Sequence, residues 1–283
     1  MEYTERIQGE INMDTIDNMD YIDKKALDNI FYQELKRSET DGEFWNGNLS
    51  KFIDKQELPI GIDNKTFNLE SREFKAHIME TDINGNHWVK NNPKVLPVSI
   101  NVESHTEFQK IEPSSIFNKS DDEKFKVLEG AVVELAKCQK EKFNIEITKH
   151  FSHFLFKSIR TTLRELCDKR DLILDAIRQI NVNNKGLSLA LILPLHMNSE
   201  EYRIFFDILL DLYPNIRIFF SGAVSPNSGG LMCNDAIGCV YRELDNSKYI
   251  LEYDSSIFEI KISSTLEYGV SVIRSTAGCY LEF

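Results

Sequence analysis

Leu27, Ile30, Phe31 and Leu35 recur at helical spacing, which predicts a helix from Lys25 to about Arg37, closed by the Asp41-Gly42 turn. Residues 1–24 ahead of it show little periodicity and many polar and acidic positions, the pattern of a mobile leader. Phe44, Trp45, Leu49 and Phe52 predict a short amphipathic element, so that residues 25–53 form an N-terminal helical element. The pattern then changes. Pro59, Gly61, Asn84-Gly85, Pro93, Pro97 and Pro113 punctuate short apolar runs, and residues 54–119 are expected to be an inserted β-rich subdomain.

Helical spacing returns with Phe125, Leu128, Val132, Leu135 and Ala136, predicting a helix from Asp121 to about Glu141. Phe143 to Ile147 alternates as a strand would, and His150 to Cys167 is read as a second amphipathic helix carrying Phe154, Ile159, Leu163 and Leu166. Leu172 to Ile177 predicts a strand, and Leu187 to Leu193 a central strand ended by Pro194. Ser199, Glu200 and Glu201 open a helix whose stripe of Tyr202, Phe205, Phe206, Leu209 and Leu212 stops at Pro214. Ile216 to Val224 predicts another strand, and a helix is expected from about Leu231 toward Leu244. Residues 245–283 read as a β-rich tail of two or three strands. The fold class expected is α/β (α+β), a mixed sheet flanked by helices with its core in residues 120–244.

Composition narrows the function classes. With 33 Lys+Arg against 45 Asp+Glu the chain carries −12 at pH 7 over 283 residues, which argues against nucleic acid as a partner because the charge has the wrong sign for phosphate. A chain of this length can bury roughly three-quarters of its surface and needs no staples. The longest apolar run, Leu187 to Leu195, is far short of the roughly 20 residues a spanning helix needs. The acidic N-terminus has neither the basic nor the apolar region of a cleaved signal peptide. Five scattered cysteines without a C-x-x-C pair predict reduced thiols rather than a disulfide framework or a zinc knuckle.

Several strings, taken in order, resemble the YopJ family of type III secreted effector acetyltransferases, within the ubiquitin-like-protease clan of cysteine enzymes. They are Leu27-Asp28-Asn29-Ile30 with Ser38 to Trp45, Ala131 to Ala136 with Lys142 to Ile147, Asn183 to Pro194, and Ser225 to Ile237. The resemblance implies a cysteine-protease-like core over 120–244 and a virulence effector that enters the host cytosol without a cleaved signal peptide and acts on a host signalling protein. It would also imply acetyl-CoA and inositol hexakisphosphate as ligands if the family activity is retained. Such chemistry needs a thiolate, an imidazole and an orienting carboxylate. The family's nucleophile position falls on Gly229 and its acidic position on Leu193, so those roles are vacant and a pseudoenzyme is expected. The oligomeric state is left open.

Fallback candidates are Cys233, one turn beyond Gly229 if that segment is helical, with His196 and Glu200. They carry the alternative of an active acetyltransferase or cysteine protease. Regulation of an active paralogue is a further alternative. His87-Trp88 with Glu103 resembles the His-Trp pair of other proteases of the clan, although a turn with an anchoring Trp is the plainer reading. His150-x-x-His153 could hold a metal, but no third ligand is evident, and no metal is expected.

Overall fold

The computed structural model describes residues 24–58, 66–69, 76–81, 87–92, 98–117, 119–159, 169–183, 186–234, 236–242, 249–254 and 259–283. The expected leader at 1–24 lies almost wholly outside them. The chain divides into two compact units, one of residues 1–35, 106–139 and 245–265, the other of 36–105, 140–244 and 266–283.

In the first unit, helix α1 (Lys24–Lys36) buries Leu27, Phe31 and Leu35 at the spacing the sequence predicts. Helix α2 (Asp121–Lys149) starts at a capping box, where Ser120 donates its backbone N–H and its hydroxyl to Glu123 Oε2 at 3.0 and 2.9 Å. Its first part contributes Leu128, Val132 and Leu135 to the core. Strands β12 (Tyr249–Asp254) and β13 (Glu259–Val272) pair antiparallel from Tyr249↔Ser264 to Asp254↔Glu259, and β6 (Glu103–Ile111) also pairs β13. Buried Gln139 ties α2 to this layer by donating to the Ser264 carbonyl at 2.9 Å.

Two sheets organise the second unit. In one, β1 (Ile53–Leu58) runs parallel to β11 (Ile237–Arg242), and β11 pairs antiparallel with the far end of β13. The other has the order β7-β14-β10-β8-β9, built from β7 (Phe156–Ile159), β14 (Gly278–Glu282), β10 (Ser228–Cys233), β8 (Leu189–Pro194) and β9 (Ile216–Ser221). Every residue of β8 is buried, as expected of a strand covered on both faces and flanked on both sides. Two short ladders, β2 (Thr66–Leu69) with β5 (Val98–Asn101) and β3 (Ala76–Thr81) with β4 (His87–Asn92), complete the strands.

Register and strand alternation assign the faces of the five-stranded sheet. Ser158, Leu281, Gly229 and Leu193 point to the side covered by helix α3 (Lys169–Asn183), where the Ser158 hydroxyl donates to the Leu172 carbonyl at 2.9 Å. Helix α4 (Glu200–Leu212) lies on the same side, with Phe206 edge-on to Phe220 at 5.7 Å. The opposite face carries an aromatic layer. A Cβ on Gly230 would come within 2.6 Å of the Phe151 ring, and one on Gly278 within 2.5 Å of Phe154. These two glycines let aromatic rings lie flat on the strands.

Four expected elements are corrected. Phe143 to Ile147 is not a strand but the last turns of α2, because Phe143, Ile147 and Phe151 continue the buried spacing of Leu128 and Val132. Leu172 to Ile177 is not a strand but part of α3, which buries Leu172, Ile173, Ala176, Ile177 and Ile180 on one face. The expected helix at 150–167 is a 3-10 turn at His150–His153 followed by β7; residues 160–168 lie outside the described set. The expected helix beyond Leu231 is the pair of strands β10 and β11. With strands at 156–159, 228–233 and 237–242, and a helix at 169–183, the described elements do not compose the YopJ-type cysteine-protease-like core that the resemblance implied.

Candidate functional site

The fallback catalytic residues do not converge. Cys233 ends β10 and pairs with Leu189, the first residue of β8, fully buried. His196 lies in the 3-10 turn after Pro194, the last residue of β8, so roughly 16 Å of strand separates the two levels. Glu200, in the first turn of α4, is exposed and pairs with Arg203 at 3.2 Å. Because 229–233 is a strand, Cys233 stands about 13 Å along from Gly229 rather than one helical turn. Leu193 and Gly229 are neighbours, since a Cβ on Gly229 would lie 3.4 Å from the Leu193 side chain. The pair is dry core. The thiols of Cys239 and Cys279 are both pushed up to about 12 by burial, which makes them poor nucleophiles.

His87 and Trp88 begin strand β4 rather than a turn, and their side chains lie outside the described set. His150 and His153 do meet, with Nδ1 atoms 3.3 Å apart and rings edge-on at 5.3 Å. Among the described residues no group of three or more His, Cys, Asp or Glu is arranged to hold a metal ion.

A pocket of about 270 Å³ in the second unit gathers Glu103, His105, Glu146, His150 and Tyr268. His105 stacks on Tyr268 at 3.8 Å, with Nε2 3.3 Å from that residue's carbonyl oxygen. Burial lowers the pKa of His105, and burial with the neighbouring His153 lowers that of His150. Burial opposes ionisation of Glu146, yet Lys149, His150 and His105 hold its carboxyl below the ordinary value. His150 and Glu103 are among the candidates the sequence offers, and His105 and Glu146 are not. The available signals were the i, i+4 spacing of Glu146 and His150 and the alternation of Glu103 and His105, and neither shows that the two pairs meet.

The pocket makes stability pH-dependent. Both imidazoles titrate below 6.5 in the folded state, so the unfolded chain binds protons first and the fold loses stability as pH falls through about 6.5. The melting temperature should therefore drop between pH 7.5 and 5.5. It should drop less in the His105→Gln/His150→Gln double variant, and equal drops would show that other groups control the acid limb.

Outside the pocket, the most unusual surface is on α4. Ile204, Ile208 and Leu212, at i, i+4 and i+8, are exposed on the side away from buried Tyr202, Phe206 and Leu209. Isolated surface apolar residues are ordinary, whereas these three lie in one lane.

With this geometry established, the chain is similar to solved structures of particle shells. It matches the virus-like particle from Pyrococcus furiosus with a TM-score of 0.57 at 10% identity, over 91% of this chain and 98% of that one. A chain of the satellite phage P4 procapsid, a particle that includes the size determination protein, gives 0.51 at 10% identity, over 96% and 98%. The fold is that of HK97-like capsid and encapsulin proteins, mixed α+β. The holo-SrpI encapsulin complex from Synechococcus elongatus gives 0.50 at 7% identity, over 83% and 86%. No protein-family model and no curated protein matches the sequence.

This likeness overturns the YopJ resemblance. The acetyltransferase-type fold, the effector reading, virulence through type III secretion, a host signalling protein as partner and delivery into the host cytosol all fall with it. The physical reason is local. Two of the strings that carried the resemblance lie on elements of a different type, with a helix through Lys142 to Ile147 and a strand at 228–233 within Ser225 to Ile237. Acetyl-CoA and inositol hexakisphosphate rested on that resemblance alone. No helix among the described residues is long and apolar enough to cross a membrane.

Proposed function

We propose that the chain is a shell-forming structural protein whose copies assemble into a closed particle of the capsid or encapsulin kind. The observation that carries this reading is the length of the likeness. Nearly the whole of the Pyrococcus furiosus particle protein, 98%, finds its counterpart here. The apolar lane on α4 supports it, because a face of that kind is stable in water only when another surface covers it. Protein–protein burial, rather than chemistry at a cleft, is then what the fold is selected for.

The test is assembly of the full chain expressed alone. Light scattering after size exclusion should give a mass many times the 32.8 kDa of one chain, and negative-stain micrographs should show closed particles of uniform size. A single-chain mass across the accessible range of concentration and salt would reject the proposal.

A further inference from the structure

The chain leaves α2 through the 3-10 turn His150–His153, which places an imidazole at each end. In a 3-10 helix residues i and i+3 eclipse one another, so the two rings stand one above the other rather than offset as on an α-helix. The turn is fixed from within. Phe151 and Phe154 are buried on Gly230 and Gly278, and Phe154 donates its backbone N–H to the Phe151 carbonyl at 3.1 Å. The Ser152 hydroxyl donates to the Lys149 carbonyl at 2.9 Å and ties the turn to the end of α2. His150 is half-buried and His153 exposed, so a solute reaches the pair from the His153 side.

The Nδ1 atoms of the two rings are 3.3 Å apart. Zinc takes imidazole nitrogen at about 2.0–2.1 Å in a tetrahedron, which sets two such ligands about 3.3–3.4 Å from each other. A right-angled site, as copper prefers, would need about 2.9 Å. Glu146 supplies the outer partner. Its Oε2 accepts from Lys149 Nζ at 2.8 Å, and its Oε1 faces His150 Nε2 at 3.9 Å. A metal-binding imidazole usually gives its other N–H to a carboxylate, which fixes the tautomer and leaves the first nitrogen a free lone pair. With that tautomer on His150, His153 donates its Nδ1–H to His150 Nδ1 when no ion is bound. An ion taking the place of that proton sends it to His153 Nε2 through solvent, and no proton is lost. We infer that His150 and His153 hold a divalent ion of the zinc type through their Nδ1 atoms, with Glu146 orienting His150 and water completing the tetrahedron. Two protein ligands make this an exchangeable site, weaker than the three- or four-ligand groups that are absent among the described residues. Magnesium and calcium, which take oxygen donors, do not suit it. The inference is independent of the shell reading.

Titration calorimetry of the full chain with zinc chloride, in a non-coordinating buffer at neutral pH, tests it. The wild type should bind one ion per chain at this site, and His150→Gln and His153→Gln should each weaken that binding at least tenfold. His153 is exposed, so His153→Gln should keep the wild-type melting temperature in the absence of zinc, which separates lost binding from lost folding. Zinc should raise the melting temperature of the wild type but not of His153→Gln, because only a chain that binds the ion is stabilised by it. Glu146→Gln should weaken binding about tenfold, in the range for loss of an outer-shell partner. His196→Gln, at an exposed histidine elsewhere, should leave affinity unchanged. No zinc uptake by the wild type at millimolar concentration, less than a tenfold loss in His153→Gln, or an equal loss in His196→Gln would overturn the site. Unchanged affinity in Glu146→Gln would overturn the orienting role of the carboxylate.

Discussion

Phe151→Ala is expected to destabilise the fold by about 3–5 kcal/mol, in the range for removing a fully buried aromatic ring. Phe151 is buried beneath the five-stranded sheet, stacked on Phe154 at 5.9 Å and tilted against Phe44 at 6.2 Å. Its ring also lies on Gly230, where there is no side chain to move into the space it leaves. The loss is therefore a transfer cost with most of a cavity cost added. Denaturant unfolding measures it, with both proteins compared in the same assembly state, because association stabilises the folded chain by mass action. A change below about 1 kcal/mol would mean that the aromatic layer is not the floor of this sheet.

Signals that act within a few residues were legible in the sequence. The buried run closed by Pro194, followed by Ser199 and two glutamates, predicts a central strand and then a helix, and the structure has Leu189–Pro194 and Glu200–Leu212. The stripe of Leu27, Phe31 and Leu35 likewise lies on α1. Apolar runs that fit two periods were misread. Leu172 to Ile177 serves a strand or a helix, and only the continuation to Ile180 on the same face decides for the helix. A helix expected from about Leu231 places Gly229-Gly230 at its entrance, because local rules associate glycine with turns. Its role is set by Phe151, which is remote in sequence and approaches one face of β10.

The site was less legible than the fold for the same reason. A nucleophile, base and acid that converge require a cleft, and Cys233 and His196 lie at opposite ends of β8. The exposed lane on α4 could be read as periodicity, since Ile204, Ile208 and Leu212 have a clear i, i+4 spacing. The same spacing also fits Leu212 to the stripe of Tyr202 and Phe206, yet the structure exposes it. A helix with apolar residues on both sides requires two partners, one of which here is its own sheet. That β7 lies at the edge opposite β9 follows only from the strand order, which no local pattern encodes.

Gly230→Ala should destabilise the wild type by about 1–3 kcal/mol yet be neutral or stabilising in the Phe151→Ala background. Two opposed effects set the sign. An alanine in a strand loses less backbone freedom on folding than glycine, a gain of roughly 0.5–1 kcal/mol. Against this, the added Cβ would sit 2.6 Å from Phe151 Cδ2 and 2.7 Å from Cε2, closer than a methyl and a ring can approach. The ring is confined by Phe44 and Phe154, so it cannot withdraw without disturbing both. In the wild type the clash therefore outweighs the backbone gain. Once Phe151 is reduced to alanine the clash is gone, the backbone gain remains, and the new methyl fills part of the cavity. The double-mutant cycle should show a coupling energy of at least about 1 kcal/mol, with the double variant more stable than the two single changes sum to. Additivity within about 0.5 kcal/mol would mean that Gly230 and Phe151 do not share a contact, and that β10 carries its glycine for some reason other than the ring beneath it.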